Sequence, residues 1–113
     1  MNKTLFEQII DRDIPANIVD EDEDIIVIHD IQPQAPVHVL IIPKLCIAKL
    51  NEIEDSHASL LAKLMLKIPK VARKLGVQDD FRVVINNGEQ AGQTVYHLHL
   101  HLLAGRSMHW PPG

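Results

Sequence analysis

Seven of the 113 residues are histidine, and three of them, His97, His99 and His101, alternate with Leu98, Leu100 and Leu102. In an extended strand, residues two apart point to the same face. Three imidazoles therefore line one surface while three leucines enter a core on the other. A polar outer face needs only Ser, Thr, Lys or Gln, so three imidazoles in succession ask for a chemical use.

Three readings compete: a solvated face, a metal site, or a surface that works on phosphorus. In a strand the Cα atoms of His97 and His99 lie roughly 7 Å apart and those of His97 and His101 about 13 Å. All three close on one tetrahedral zinc only with a strong bend. No Cys-x-x-Cys or His-Glu-x-x-His accompanies them. Neutral imidazole, by contrast, is a competent nucleophile at pH 7, because its ordinary pKa is about 6.5. Its attack on phosphorus gives a covalent intermediate that water then cleaves. Flanking imidazoles can orient the attacker, donate to phosphate oxygens or supply a proton to a departing group. The third reading is favoured, with no metal and no cofactor.

The row needs a strand, and Val95 to Leu103 reads as the fifth and last of the chain, entered from a glycine-containing loop over Asn86 to Gln93. Its leucines need a partner surface. Leu61, Leu64, Ile68, Val71 and Leu75 recur at helical spacing on a long helix opened by Asp55-Ser56 and closed by Gly76. Pro69 removes a backbone donor inside that helix and should kink or divide it. Upstream, Thr4-Leu5-Phe6-Glu7 has capping-box spacing for a short helix ending near Asp11, before Ile14-Pro15. Asn17-Ile18-Val19 and Ile25 to Ile28 read as two strands around the acidic turn Asp20 to Asp24. Asp30 to Pro36 is a loop, Val37 to Ile42 an interior strand stopped by Pro43, and Phe81 to Ile85 the fourth strand. Strands and helices do not alternate regularly, which predicts an α+β fold with a five-stranded antiparallel sheet.

Composition bounds the rest. At 46% hydrophobic and 23% charged the chain is ordinary globular material. Its length suits one domain over 1–113, small enough to gain from dimerisation. A net charge of −4 leaves no basic footprint for nucleic acid. A bound phosphate must then be held locally by amides and imidazoles. The single cysteine, Cys46, excludes an intrachain disulfide and reads as a small buried apolar residue. The opening residues lack an apolar signal region, and no run approaches the ~20 residues that cross a bilayer. The expected location is the cytoplasm.

The run His97-Leu98-His99-Leu100-His101-Leu102-Leu103 matches the His-φ-His-φ-His-φ-φ signature of the histidine-triad (HIT) nucleotide hydrolases and transferases. The resemblance covers nearly the whole chain and is closest to the Hint branch. It includes Ile14-Pro15-Ala16, His29-Asp30-Ile31, Pro33 to Pro36, His38, Ile42-Pro43-Lys44, Asn86 with Gly88, Gly92 to Tyr96, Gly105-Arg106 and Met108 to Gly113. It implies a sheet continued across a homodimer, and hydrolysis of purine nucleoside phosphoramidates, in which adenosine monophosphate is joined through nitrogen to an amine. It makes His99 the nucleophile, with His97 and His38 supporting it and His101 at the phosphate or leaving group. Thr94 would reach the scissile nitrogen, and Gly92, Gln93 and Val95 would offer backbone N–H groups to the phosphate. Asp30 would hold the ribose hydroxyls, Phe6, Ile9, Ile28, His29 and Ile31 the base, and Asn86 the ribose and phosphate. Trp110, on a tail over 104–113, would reach the partner's site. Dinucleoside polyphosphate hydrolysis and a nucleotide-binding scaffold dimer are the alternatives.

Taken one by one, these residues have plainer uses. Asp30 is a turn residue before a proline-rich loop, His38 a hydrogen-bonded core histidine, and Phe6 and Ile9 ordinary core. Gly88 and Gly92 serve turn geometry, and Trp110 is a surface anchor. His57 has no expected role. Strict alternation also places Thr94 on the leucine side, so its use requires an irregular strand.

Overall fold

A computed structural model describes residues 2–113. Its elements are α1 (Leu5–Ile10), β1 (Ile18–Glu21), β2 (Ile25–His29), β3 (Val37–Pro43), α2 (Ala58–Lys74), β4 (Phe81–Val84) and β5 (Leu100–Ala104). The five strands form one sheet in the order β1-β2-β3-β5-β4, and every neighbouring pair is antiparallel. The expected α+β class, short helix, long helix and five antiparallel strands are all present.

Both faces of the sheet centre are covered, which is why β2 and β3 read as continuous apolar runs. Ile25, Val27, Val39, Ile41, Leu98, Leu100 and Leu102 pack with Leu64, Ile68, Val71 and Ala72 of α2. On the opposite face Ile26, Ile28, Leu40 and Ile42 pack with Phe6 and Ile9 of α1. The three leucines between the histidines thus enter the α2 core, as their spacing predicts. Leu61 and Leu75 flank it, half buried.

Local chemistry sets the helix ends. Thr4 and Glu7 form the expected capping box. Past α2, Gly76 (φ +73°) lets its own N–H reach Arg73 and the Val77 N–H reach Ala72, a Schellman closure. The helix starts later than Asp55-Ser56 because Asp55–His57 is a 3₁₀ turn feeding α2. His57 has a part in that entry: its Nδ1 accepts the Glu54 N–H while its own N–H donates to the Glu54 carbonyl. Pro69 does not divide α2. The carbonyl it leaves unpaired belongs to Met65, on the exposed side of the helix, where water can take the bond.

Two strand boundaries differ from expectation in ways that matter. The first hairpin keeps its ladder through Asp20↔Val27 and Glu21↔Ile26, so the acidic turn is shorter than Asp20 to Asp24. The charges are tolerated because Lys67 reaches from α2 to Asp20 and Asp22 at 2.8 Å each, and Lys63 reaches Asp24 at 2.7 Å. The last strand begins at Leu100, not at Val95. Leu100 pairs with Ile41; continued two residues, the ladder would set Leu98 against Pro43, which has no N–H to give. Residues 94–99 therefore run irregularly, and the Leu98 N–H donates to the Ile47 carbonyl instead. Thr94 is consequently not bound by strict alternation.

Candidate active site

Four imidazoles gather on the α1 face of the sheet. Within the β3–β5 register His101 lies opposite Leu40 and His38 opposite Leu103, so the two histidines are diagonal neighbours on one face, close enough for their rings to meet. Ring centroids of His38 and His101 are 5.2 Å apart, and those of His101 and His99 are 5.0 Å apart. Phe6 of α1 stands edge-on to His99 at 4.9 Å and to His97 at 5.8 Å. His97 has no exposed surface at all; His99 and His38 are buried and His101 half buried.

The hydrogen bonds assign a tautomer to each ring. His97 Nε2 lies 2.7 Å from the Pro43 carbonyl, which only accepts, so Nε2 carries the hydrogen. His99 Nδ1 lies 2.7 Å from the His97 carbonyl and donates to it. That places the His99 lone pair on Nε2, which has no hydrogen-bond partner among the described residues and is not sealed from solvent. His38 Nδ1 accepts the Gln34 N–H at 3.0 Å, so His38 Nε2 carries the hydrogen and gives it to His101 Nδ1 at 2.9 Å. His101 then presents Nε2–H outward. One ring offers an unshared electron pair beside another that offers a proton.

Burial holds all four rings neutral. It pushes His38, His97 and His99 below the ordinary histidine value. The opposing influences are weaker: the Asp30 charge for His38 and the Pro43 carbonyl for His97. His101 drops to about 4, from burial first and then from the neighbouring His99 and His38. Folded His101 therefore binds a proton only well below pH 6.5, whereas the unfolded ring takes one near that value. Between those two pH values the unfolded chain holds more protons, so stability falls as pH drops through the window. Calorimetry from pH 7 to 5 should show a loss of roughly 1–3 kcal/mol from this ring, and a smaller loss in His101→Asn. Equal slopes for the two proteins would contradict the assignment.

Around the rings, the remaining residues named from sequence fall into four groups. Phe6, Ile9 and Ile28 are buried in one apolar cluster with Val95 packed against it, in keeping with their core reading, and Phe6 also stands against His97 and His99. Asp30 makes the turn suggested by its neighbourhood, Oδ1 accepting the Gln32 N–H at 2.7 Å, while Oδ2 stands 3.4 Å from His38 Nε2. His29 is exposed and Ile31 is 93% exposed on either side of it.

The loop before β5 is built by Gln93, whose buried side chain accepts the Gly88 N–H and donates to the Ala48 and Val95 carbonyls. The Gly92 and Gln93 N–H groups are spent on Glu89 and Gly88. Thr94 and Val95 keep N–H groups with no partner among the described residues. Asn86 sits against Gly92, its side chain 3.8 Å from where a Cβ would stand. Trp110 is 83% exposed, on a tail held at the His109 carbonyl by Arg82.

Some expectations need correction and some contacts were missed. Cys46 is exposed, not buried, because it lies just past the end of β3; its thiol points to the Tyr96 carbonyl. Sequence reasoning did not find the Thr4 hydroxyl on His97, the Pro43 carbonyl or the Gln34 N–H. The last two are backbone groups, for which residue identity carries no signal.

Two groups could hold a cation, each with ligand atoms within 4.8 Å of one another: Asp30, His38 and His101, and Glu7, Cys46 and His97. The three alternating histidines do not form such a group. In the first, the facing nitrogens of His38 and His101 already share a hydrogen.

Known proteins resemble this chain throughout its length. The HIT domain model matches residues 11–108. A HIT-like protein of Synechocystis is 53% identical over 97% of this chain and 96% of its own. The adenylylsulfatase HINT1 of Arabidopsis thaliana is 44% identical over 97% of this chain and 76% of its own. The crystal structure of a HIT family hydrolase from Legionella pneumophila superposes with a TM-score of 0.95 at 46% identity, covering 98% of this chain and all of the other. With the fold, the histidine run and these matches in agreement, the chain belongs to the HIT family.

Proposed function

We propose that this protein hydrolyses purine nucleoside phosphoramidates by passing the nucleotidyl group to His99 and then to water. The observation that carries the reading is the pairing of tautomers: an unshared pair on His99 Nε2 beside an N–H on His101 Nε2. His99 attacks the α-phosphorus, a bond forms from Nε2, and the P–N bond to the amine breaks. An amine leaving without a proton would be a stronger base than imidazolate, so even neutral His101, or the Thr94 hydroxyl, can protonate it late in P–N cleavage. Water then attacks the nucleotidyl-imidazole, returns a proton to the group that gave one, and releases the nucleoside monophosphate. Buried, His99 remains a free base at neutral pH, as the attack requires.

The ligand is placed from the same residues. Phe6, Ile9, Ile28, His29 and Ile31 would flank the base, with Asp30 on the ribose. Asn86 and the Thr94 and Val95 N–H groups would meet the phosphate, while Gly92 and Gln93 shape that loop and do not donate to it. A homodimer completes the reading. β4 is an edge strand with an open side, and next to it Leu50, Ile53, Leu61, Met65 and Ile85 line an apolar hollow of about 470 Å³. No helix among the described residues is long and apolar enough to cross a membrane.

The name of the Arabidopsis relative supports a second reading, in which sulfate replaces the amine as the leaving group. Steady-state rates on an adenosine phosphoramidate, adenylyl sulfate and a diadenosine polyphosphate decide between them. The phosphoramidate should have the highest kcat/KM. Faster turnover of either other compound would move the assignment to that leaving group.

A further inference from the structure

Thr4 caps the start of α1 and has no place in the chemistry proposed above, yet it touches the site. Its hydroxyl oxygen accepts the Glu7 N–H at 3.1 Å and lies 3.0 Å from His97 Nδ1. The direction of the second bond follows from the first ring assignment. His97 Nε2 holds its hydrogen against the Pro43 carbonyl, so Nδ1 has the lone pair and Thr4 O–H is the donor. Because His97 has no exposed surface, no water can take over this bond. The same residue's carbonyl then receives His99 Nδ1–H. A continuous path runs from the helix cap through a buried ring to the tautomer of the attacking one.

We propose that Thr4 is a positioning residue of this site, its hydroxyl acting through His97 to keep the His99 lone pair on Nε2. This rests on the reading of His99 as nucleophile. Without the donor, a buried Nδ1 is left unpaired, which costs enough for the ring to turn or to take a proton. Either change alters the His97 backbone carbonyl or its charge, and with it the hold on His99.

The capping and donating roles of Thr4 separate cleanly by substitution. Thr4→Ser keeps both, Thr4→Asp caps the helix but has no hydrogen to give at neutral pH, and Thr4→Val lacks both. Turnover of an adenosine phosphoramidate should fall about 10- to 100-fold in kcat in the Asp and Val variants, with KM little changed. Thr4→Ser should restore it. Imidazole ¹⁵N NMR supplies a readout that needs no turnover. In the parent protein His99 should show Nδ1–H and a bare Nε2; in Thr4→Asp, His97 should be protonated on both nitrogens near neutral pH and His99 a mixture of tautomers. Parent-like kcat and ring spectra in a stable Thr4→Asp variant would overturn the proposal, leaving Thr4 a helix cap. If the parent fails to turn over the substrate while the ring spectra change as stated, the functional reading falls and the positioning role stands.

Discussion

Turnover should drop by about 10⁴-fold or more in His99→Ala, while affinity for a nucleoside monophosphate stays nearly unchanged. The size of the effect follows from the ring bookkeeping. His97 spends both nitrogens, one on Pro43 and one on Thr4. His38 spends both on Gln34 and His101. His101 accepts at Nδ1 and holds a hydrogen on Nε2. Only His99 has a lone pair to offer, so no neighbour can take over without dismantling its own bonds. Truncation also opens a space between Phe6 and His101, which contact the lost ring, and a thermal melt must show that the variant is folded. A folded His99→Ala retaining a tenth of the parent kcat would refute covalent catalysis by this residue.

The second large effect depends on the leaving group. His101→Ala removes the outward N–H and should lower kcat/KM on an adenosine phosphoramidate by about 10²- to 10⁴-fold, the usual worth of a placed proton donor. Sulfate departs without needing a proton. On adenylyl sulfate the same variant should therefore lose much less, through the missing hydrogen bond to the phosphoryl group alone. His38 would be left with an Nε2–H facing only Asp30, at 3.4 Å, while the Asp30 turn keeps its own bonds to Gln32 and His38. Parallel losses on the two substrates would show that His101 serves to bind phosphate and does not protonate the leaving amine.

What could be read from the residues, and what could not, has a physical pattern. The leucine–histidine alternation named both faces of the last strand correctly, because period-two patterning fixes which side chains share a face even where the ladder is absent. It did not find where the ladder begins. That depends on Pro43, about 55 residues away in sequence, standing where the ladder past Ile41 and Leu100 would meet Leu98. The α2 stripe, the Thr4 capping box and the Gly76 closure were legible because each is a local pattern with a local cause. Cys46 was misplaced because burial of a small residue depends on what the rest of the chain lays over it. At Asp30 and Phe6 a plain role leaves room for a chemical one: one Asp30 oxygen makes the turn while the other faces His38, and the buried Phe6 ring stands against His99. The tautomers were beyond reach of the sequence, since they are set by main-chain groups at Pro43, His97 and Gln34.

The central claim is that His99 Nε2 bonds to phosphorus. Intact-protein mass spectrometry on enzyme stopped at neutral pH during turnover of an adenosine phosphoramidate tests it most directly, followed by peptide mapping. A nucleotidyl adduct on His99, absent from His99→Ala and lost on further incubation in water, is the predicted result. An adduct on a different residue, or turnover at full rate with no adduct formed in the first cycle, would contradict it.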